Sequence, residues 1–271
     1  MICENCSHKC DIPEGTSGLC HARSCKNGEI VCDNYGAVTS LALDPIEKKP
    51  LAMFMPGTKI LSAGSYGCNM KCPWCQNDSI SRGYVAADSL TPKELTDIAL
   101  DTKKRGNIGI AYTYNEPSVG YEFVLDCSHL AKDNGLVNVM VTNGMLEAGR
   151  FRELASFTDA YNIDLKTGIA SKYRTIGGDL ELITENIKCA AGLGRHVELT
   201  TLVVPGFNDD EDDLRTIVDI IASIDTGIPF HITRFFPAGN MKDAMPTDLG
   251  VLYDFRDIAK QKIKNVFLGN V

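Results

Sequence analysis

From Thr58 onward the chain alternates short β-branched or aliphatic runs with longer amphipathic stretches. The runs at 58–65, 108–114, 136–142, 159–165, 196–204, 229–235 and 265–268 predict strands, because short, near-continuous apolar sequence suits a parallel sheet covered on both faces. The stretches 91–105, 118–134, 147–156, 180–193, 210–223 and 248–262 predict the intervening helices. Thr91-Pro92-Lys93-Glu94 marks one start, with an N-cap, a proline at the first helical position and an acid in the first turn. Strand and helix in alternation predict βα units around a parallel sheet. Six or so units in 214 residues fall short of the ~250 of a closed eight-fold barrel. The expected fold class is therefore α/β, a partial, open (β/α)6 barrel over 51–271 behind a separate N-terminal segment, 1–50.

In such barrels the loops at the C-terminal ends of the strands converge and carry the chemistry. Polar residues interrupt the apolar pattern at these ends. The second strand runs into Tyr112-Thr113-Tyr114-Asn115-Glu116-Pro117, the third into Thr142-Asn143-Gly144 and the fourth into Asp164-Leu165-Lys166. The fifth offers Glu198, Thr200 and Thr201, and the sixth His231 and Arg234. Each has a plainer reading: Glu116 as an acid at a helix N-terminus, Lys166 as a surface lysine, Asn143-Gly144 as a common turn pair, and His231 as a packed strand histidine.

The first strand leads into Cys68-Asn69-Met70-Lys71-Cys72-Pro73-Trp74-Cys75, three thiols at C-x3-C-x2-C spacing with the only tryptophan before the last. Three cysteines offered to a cubane of four irons leave one iron open to chelate a second molecule. A zinc site borrowing a distant ligand and buried unligated cysteines are the competing readings.

The octet resembles the cluster motif of radical S-adenosylmethionine (SAM) enzymes, which have an aromatic residue before the third cysteine. The likeness to the AmmeMemoRadiSam type, a branch near the pyruvate formate-lyase activating enzymes, extends over nearly the whole chain. It is carried by Cys3-x2-Cys6-x-His8-x-Cys10, Asp44-Pro45-Ile46-Glu47-Lys48-Lys49-Pro50-Leu51, Pro56-Gly57, Gly67-Cys68-Asn69, Cys75-Gln76-Asn77, Tyr112 to Pro117 and Phe235-Phe236-Pro237. The resemblance implies a 4Fe-4S cluster on Cys68, Cys72 and Cys75, which cleaves SAM reductively to methionine and a 5'-deoxyadenosyl radical that abstracts hydrogen from a substrate. Glu116 stands where the family carries Gly-Gly-Glu-Pro and would meet the methionyl amino group; both glycines are replaced. Asp164-Leu165-Lys166 resembles the activases' Asp-Leu-Lys beside the methionyl carboxylate, and Asn143 the family's Thr-Asn-Gly turn. Thr200 aligns with an activase arginine, so ribose binding differs here. Trp74, Asn115, Thr142, His231 and Arg234 complete the expected SAM site. An electron donor such as a flavodoxin or ferredoxin is implied. The substrate is undetermined: a small molecule, or a backbone glycine of a partner enzyme as for an activase. A non-catalytic iron-sulfur or zinc protein is the reading from a different class.

Composition narrows the partners. The net charge of -8 and pI near 5.2 leave no basic field for a nucleic-acid backbone. No secretory signal opens the chain and no run reaches the ~18 apolar residues of a membrane span, so a cytoplasmic protein is expected. Eleven cysteines in a reducing compartment point to metal or redox chemistry, and nine of them precede residue 76. Cys127 and Cys189 fall in amphipathic stretches and read as packing residues. Cys3, Cys6, Cys10 and Cys20 lie in a segment too polar to bury its own core, which a metal would close. Zinc or a second iron-sulfur cluster would suit four such thiolates, with His8 and His21 as substitute ligands and Cys25 and Cys32 unassigned.

Overall fold

The computed structural model describes residues 1–271. The chain begins with an antiparallel hairpin, β1 (Arg23–Lys26) and β2 (Glu29–Cys32), then β3 (Ala37–Val38) and β4 (Ser40–Pro45). β5 (Lys59–Gly64) leads into the cysteine loop, a helical turn α1 (Asp78–Ser81) and β6 (Asp88–Ser89), which pairs with β3. Strands and helices then alternate: α2 (Pro92–Asp101), β7 (Asn107–Tyr112), α3 (Tyr121–Asp133), β8 (Val137–Thr142), α4 (Ala148–Ala155) and β9 (Ala160–Asp164). The series continues with α5 (Ala170–Thr175), α6 (Leu180–Gly192), β10 (His196–Val203), α7 (Glu211–Ile224), β11 (Phe230–Arg234), α8 (Leu249–Ala259) and β12 (Val266–Gly269).

All seven strand runs and six helical stretches read from the pattern appear, displaced by a few residues at their ends. The Thr91 start is a complete capping box, its side chain accepting from the Glu94 N–H while the Glu94 carboxylate accepts from the Thr91 N–H. Asp179 and Asp210 cap α6 and α7 in the same way, each accepting from an N–H three residues on.

The main sheet has the order β12-β11-β10-β9-β8-β7-β5-β4. β5 and β7 to β12 are mutually parallel, and β4 is antiparallel on β5. Spatial order follows chain order, so every right-handed crossover steps the same way and the helices collect on one face. The other face becomes a barrel interior. β4 and β12 are its unpaired edges, so the barrel is open.

Residues 40–45 fall within the stretch that composition assigns to the N-terminal segment, yet they form the eighth strand of the barrel sheet. The pattern hides this because β4 is half-buried and mixed in sequence, Ser-Leu-Ala-Leu-Asp-Pro, as an edge strand allows. The link from β4 to β5 then seals one end of the barrel. Ile46 and Leu51, both fully buried, pack on Ile60, Ala111, Val139 and Ala160. The link joins the end of β4 to the start of β5, whereas the cysteine loop follows the end of β5, so the seal lies opposite the cysteine loop. Asn162 donates to the Pro50 carbonyl at 2.8 Å, and the Glu198 carboxylate accepts the N–H groups of Ala52 and Met53 at 2.9 and 2.8 Å. Cys127 is fully buried and Cys189 packs on the same helix-side core. No helix is long and apolar enough to cross a membrane.

Candidate functional site

The cysteine loop leaves the C-terminal end of β5 and is held from four sides. Asn115, at the end of β7, accepts the Ser65 N–H at 3.0 Å and donates to the carbonyls of Tyr66 and Gly67, each at 3.0 Å. From the β5-side helix, Arg82 donates to the Cys72 carbonyl at 2.7 Å. Residues after β11 cross over the loop, with the Asn240 N–H donating to the Pro73 carbonyl at 2.7 Å. From the α5 end, the Ile176 carbonyl accepts the Lys71 N–H at 2.8 Å. Trp74 is buried and meets Phe207 at 4.5 Å between ring centroids, a contact that pins the loop against the turn after β10.

The three thiols are partly shielded, and burial pushes both Cys68 and Cys72 up from the ordinary thiol range. Met70 directs its backbone N–H at the Cys68 sulfur at 3.4 Å. Lys166 and Asp164 are electrostatic neighbours of Cys72. Their own pair is short, with Lys166 Nζ donating to Asp164 Oδ2 at 2.6 Å. Burial opposes the Lys166 ammonium, but the Asp164 and Cys72 charges outweigh it and its pKa rises. Tyr173 fixes the turn, its hydroxyl accepting the Lys166 N–H at 2.7 Å.

Asn143 reaches the loop from the end of β8. Its amide donates to Asn69 Oδ1 at 2.8 Å and lies 3.9 Å from the Cys68 sulfur, while Gly144 takes the positive φ of 75° that the turn needs. Glu116 is turned inward. Its carboxylate accepts the Thr142 hydroxyl and the Asn143 N–H, each at 2.7 Å, and the Ser118 N–H at 3.0 Å. These bonds fill three of its roughly four acceptor sites. Burial nevertheless raises its pKa, because desolvation outweighs the bonds to Asn143, Thr142 and Ser118. Glu116 and Thr142 therefore tie adjacent strand ends together beneath the cysteine loop.

Cys68, Cys72, Cys75, Trp74, Asn115, Glu116, Thr142, Asn143, Asp164 and Lys166 thus gather at one end of the barrel, although the side chains of Asn115, Glu116 and Thr142 are spent on protein partners. The other three expected residues are also engaged with protein partners. Thr200 is buried in the interior and exchanges hydrogen bonds with Asn162 at 2.9 and 3.0 Å. His231, buried beside it, faces Glu198 Oε2 at 2.6 Å. Arg234 donates to the Thr247 carbonyl at 2.9 Å and stacks over the half-exposed Phe236. Thr200 stands between Asp164 and His231 in the ladder, at the same level of the sheet, whereas Arg234 is the last residue of β11.

Two interior networks escape sequence reasoning. Asp44 accepts from Lys49, Ser62 and Tyr114 at 3.0, 3.0 and 2.9 Å. Burial opposes its charge, yet the Lys49 and Tyr114 bonds hold its carboxyl far below the usual range. Tyr114 itself has a left-handed φ of 72° and covers Gly64, where a Cβ would lie 2.7 Å from its ring. The only signal in the sequence was the 44–51 resemblance, which assigns no chemistry. The second network is Glu198 with His196 and His231, where the strand pattern showed polar residues without their pairing.

The N-terminal segment seats on the cysteine loop. The Cys68 N–H donates to the Cys20 carbonyl at 3.2 Å, and His8 Nε2 lies 2.7 Å from the Asn69 carbonyl. Cys3, Cys6, Cys10 and Cys20 line one cavity with His8, and His21 lies outside it. The Cys25 thiol donates to Glu14 and the Cys32 thiol to Asn34, so both have protein partners.

A description of the Radical SAM superfamily matches residues 63–217, more than half of the chain. An uncharacterised protein of Methanocaldococcus jannaschii is 41% identical over 276 residues, covering 99% of this chain and 81% of its own. The pyruvate formate-lyase-activating enzyme of Clostridium pasteurianum is 25% identical over 162 residues, 58% of this chain and 67% of that enzyme. The chain spans about half the length of some other curated relatives, 53% for one of them. Among solved structures, a radical SAM methyltransferase from Sphaerobacter thermophilus shares the fold at TM-score 0.61 and 15% identity, over 80% of this chain and 67% of that one. With the matched region running from the end of β5 into α7 and so spanning the cysteine loop and the rim, the chain belongs to the radical SAM superfamily.

Proposed function

We propose that this chain is an enzyme that cleaves SAM reductively at a cluster held by Cys68, Cys72 and Cys75 and uses the resulting radical to abstract hydrogen from a substrate. The donor set fits the group: three thiols on one loop, with the cationic Lys166 and Arg82 near Cys72 to offset thiolate charge. When bound, the cluster supplies a low-potential electron that splits SAM into methionine and a 5'-deoxyadenosyl radical.

The observation that carries this reading is the Asp164–Lys166 pair beside Cys72. A carboxylate and an ammonium at one strand end are complementary to the amino and carboxylate groups of a methionyl moiety, and they are electrostatic neighbours of Cys72. Asn115 and Asn143 keep the loop's shape, and Glu116 keeps the neighbouring rim in place. Pinning the acceptor molecule before electron transfer removes much of the entropic cost of the encounter. The enclosing barrel wall keeps water from a radical that would attack any nearby C–H bond. A flavodoxin- or ferredoxin-like protein is the reductant the chemistry requires.

A second reading makes the hydrogen donor a backbone glycine of a partner enzyme. The likeness to a pyruvate formate-lyase-activating enzyme supports it. The test common to both readings is anaerobic reconstitution, dithionite reduction and addition of SAM. Release of 5'-deoxyadenosine that Cys72→Ala abolishes is expected; release unchanged in that variant sinks the proposal.

A further inference from the structure

The N-terminal cavity has the makings of a second metal centre. Cys3, Cys6, Cys10 and Cys20 all line it, although nine residues separate Cys10 from Cys20. Two cavity-lining polar groups lack partners. Asn69, 3% exposed, has an amide nitrogen with no acceptor, and Arg23, also 3% exposed, has an unpartnered Nε although its other nitrogens bond Glu122 at 2.6 and 2.8 Å. An unpartnered amide donor and an unpartnered guanidinium nitrogen, on residues that line the same cavity as four thiols, call for an anionic, sulfur-ligated occupant.

Geometry discriminates between a single ion and a cluster. Zinc holds sulfur at about 2.3 Å, so tetrahedral thiolates crowd to within about 4 Å of one another. In an iron-sulfur cluster each cysteine binds its own iron, and the sulfurs stand further apart. No three Cys, His, Asp or Glu side chains converge to hold a single ion in this protein, whether in the N-terminal cavity or among Cys68, Cys72 and Cys75.

We propose that Cys3, Cys6, Cys10 and Cys20 ligate a second iron-sulfur cluster, with Asn69 and Arg23 as donors to its sulfurs. Asn69 is the next residue after Cys68, so the second cluster lies directly behind the cysteine loop. Its ligands span the first 20 residues and tie that segment to the loop. Hydrogen bonds from Asn69 and Arg23 tune its potential, since donors to sulfur favour the reduced, more negative state.

The test separates the two centres. A Cys68→Ser/Cys72→Ser/Cys75→Ser variant, purified and reconstituted anaerobically, should keep about two to four irons per chain with matching acid-labile sulfide and a reduced-state EPR signal that SAM does not perturb. Absence of iron in that variant, with zinc or without, overturns the proposal. Should that variant fail to fold, Cys6→Ser/Cys10→Ser decides: iron and sulfide fall by about two to four per chain while a SAM-responsive signal remains, and unchanged iron overturns the proposal. Loss of the SAM response in otherwise unaltered protein counts against the proposed function alone, because neither iron count depends on it.

Discussion

The Glu116 carboxylate accepts the backbone N–H of Asn143 at 2.7 Å, which joins the end of β7 to the end of β8 directly under the cysteine loop. The same carboxylate takes the Thr142 hydroxyl and the Ser118 N–H, so all three donors depend on one side chain. Glu116→Gln keeps the shape but turns an NH2 group toward at least one of these donors. Stability should fall by about 1–3 kcal/mol, and SAM cleavage should fall with it. Urea midpoints beside 5'-deoxyadenosine yields provide the check; a variant with wild-type values for both would show that the bridge is dispensable.

Asn115 uses both ends of its amide to hold residues 65–67. Asn115→Leu leaves one N–H and two carbonyls without these partners, at a cost of about 1–3 kcal/mol concentrated in the cysteine loop. The expected result is iron lost on gel filtration while far-UV circular dichroism stays native. Full iron retention would place the control of loop shape elsewhere.

Lys166 should set affinity for SAM without setting iron content. Replacing it by Met removes a charge-assisted bond, and the dissociation constant should rise by about tenfold to a hundredfold. Equilibrium dialysis with reconstituted protein measures it. An unchanged constant would remove Lys166 from the site.

Acid should weaken the barrel through Glu198. Burial alone would raise its pKa, but hydrogen bonds from His196, His231 and the N–H groups of Met53 and Ala52 pull it down to about 2. A depressed carboxyl stabilises the fold above its unfolded value of about 4.3, and that contribution is lost as pH falls toward 2. Glu122 is likewise held at about 2, burial being outweighed by Arg23, so it shares the window. Glu198→Gln should therefore flatten part of the stability loss between about pH 4.5 and 2, measured by urea titration of metal-free protein. An identical slope in variant and wild type would remove Glu198 from the acid response.

Gly67 adopts a φ of 90°, and a Cβ there would lie 2.6 Å from the Cys20 carbonyl and 2.8 Å from the Ala22 Cβ. Gly67→Ala adds backbone strain of about 1–3 kcal/mol and pushes the N-terminal segment off the loop. Limited proteolysis within residues 1–32 should speed up. Unaltered cleavage would mean that the two surfaces can separate without cost.

The barrel strands were legible because a strand covered on both faces must be almost wholly apolar, and that leaves a plain mark in the chain. The cysteine octet was legible because its spacing is local, as was the capping box at Thr91. β4 was not, since an edge strand tolerates a mixed sequence. Nor were the partners of Glu198 and Asp44, which come from positions far along the chain: Met53 and Ala52 stand 145 and 146 residues from Glu198, and Tyr114 stands 70 from Asp44.

By itself, then, the sequence determined the order of elements, the loop bearing three thiols and the end of the barrel where polar side chains collect. Only the tertiary structure decided that Asn115 and Glu116 face inward as supports, that Thr200 and His231 lie within the barrel, and that four N-terminal cysteines meet at one cavity behind Asn69. The physical reason is the range of the forces involved. Hydrophobic periodicity and ligand spacing act over a few residues and can be read directly, whereas the direction of a buried hydrogen bond depends on which distant group arrives to complete it.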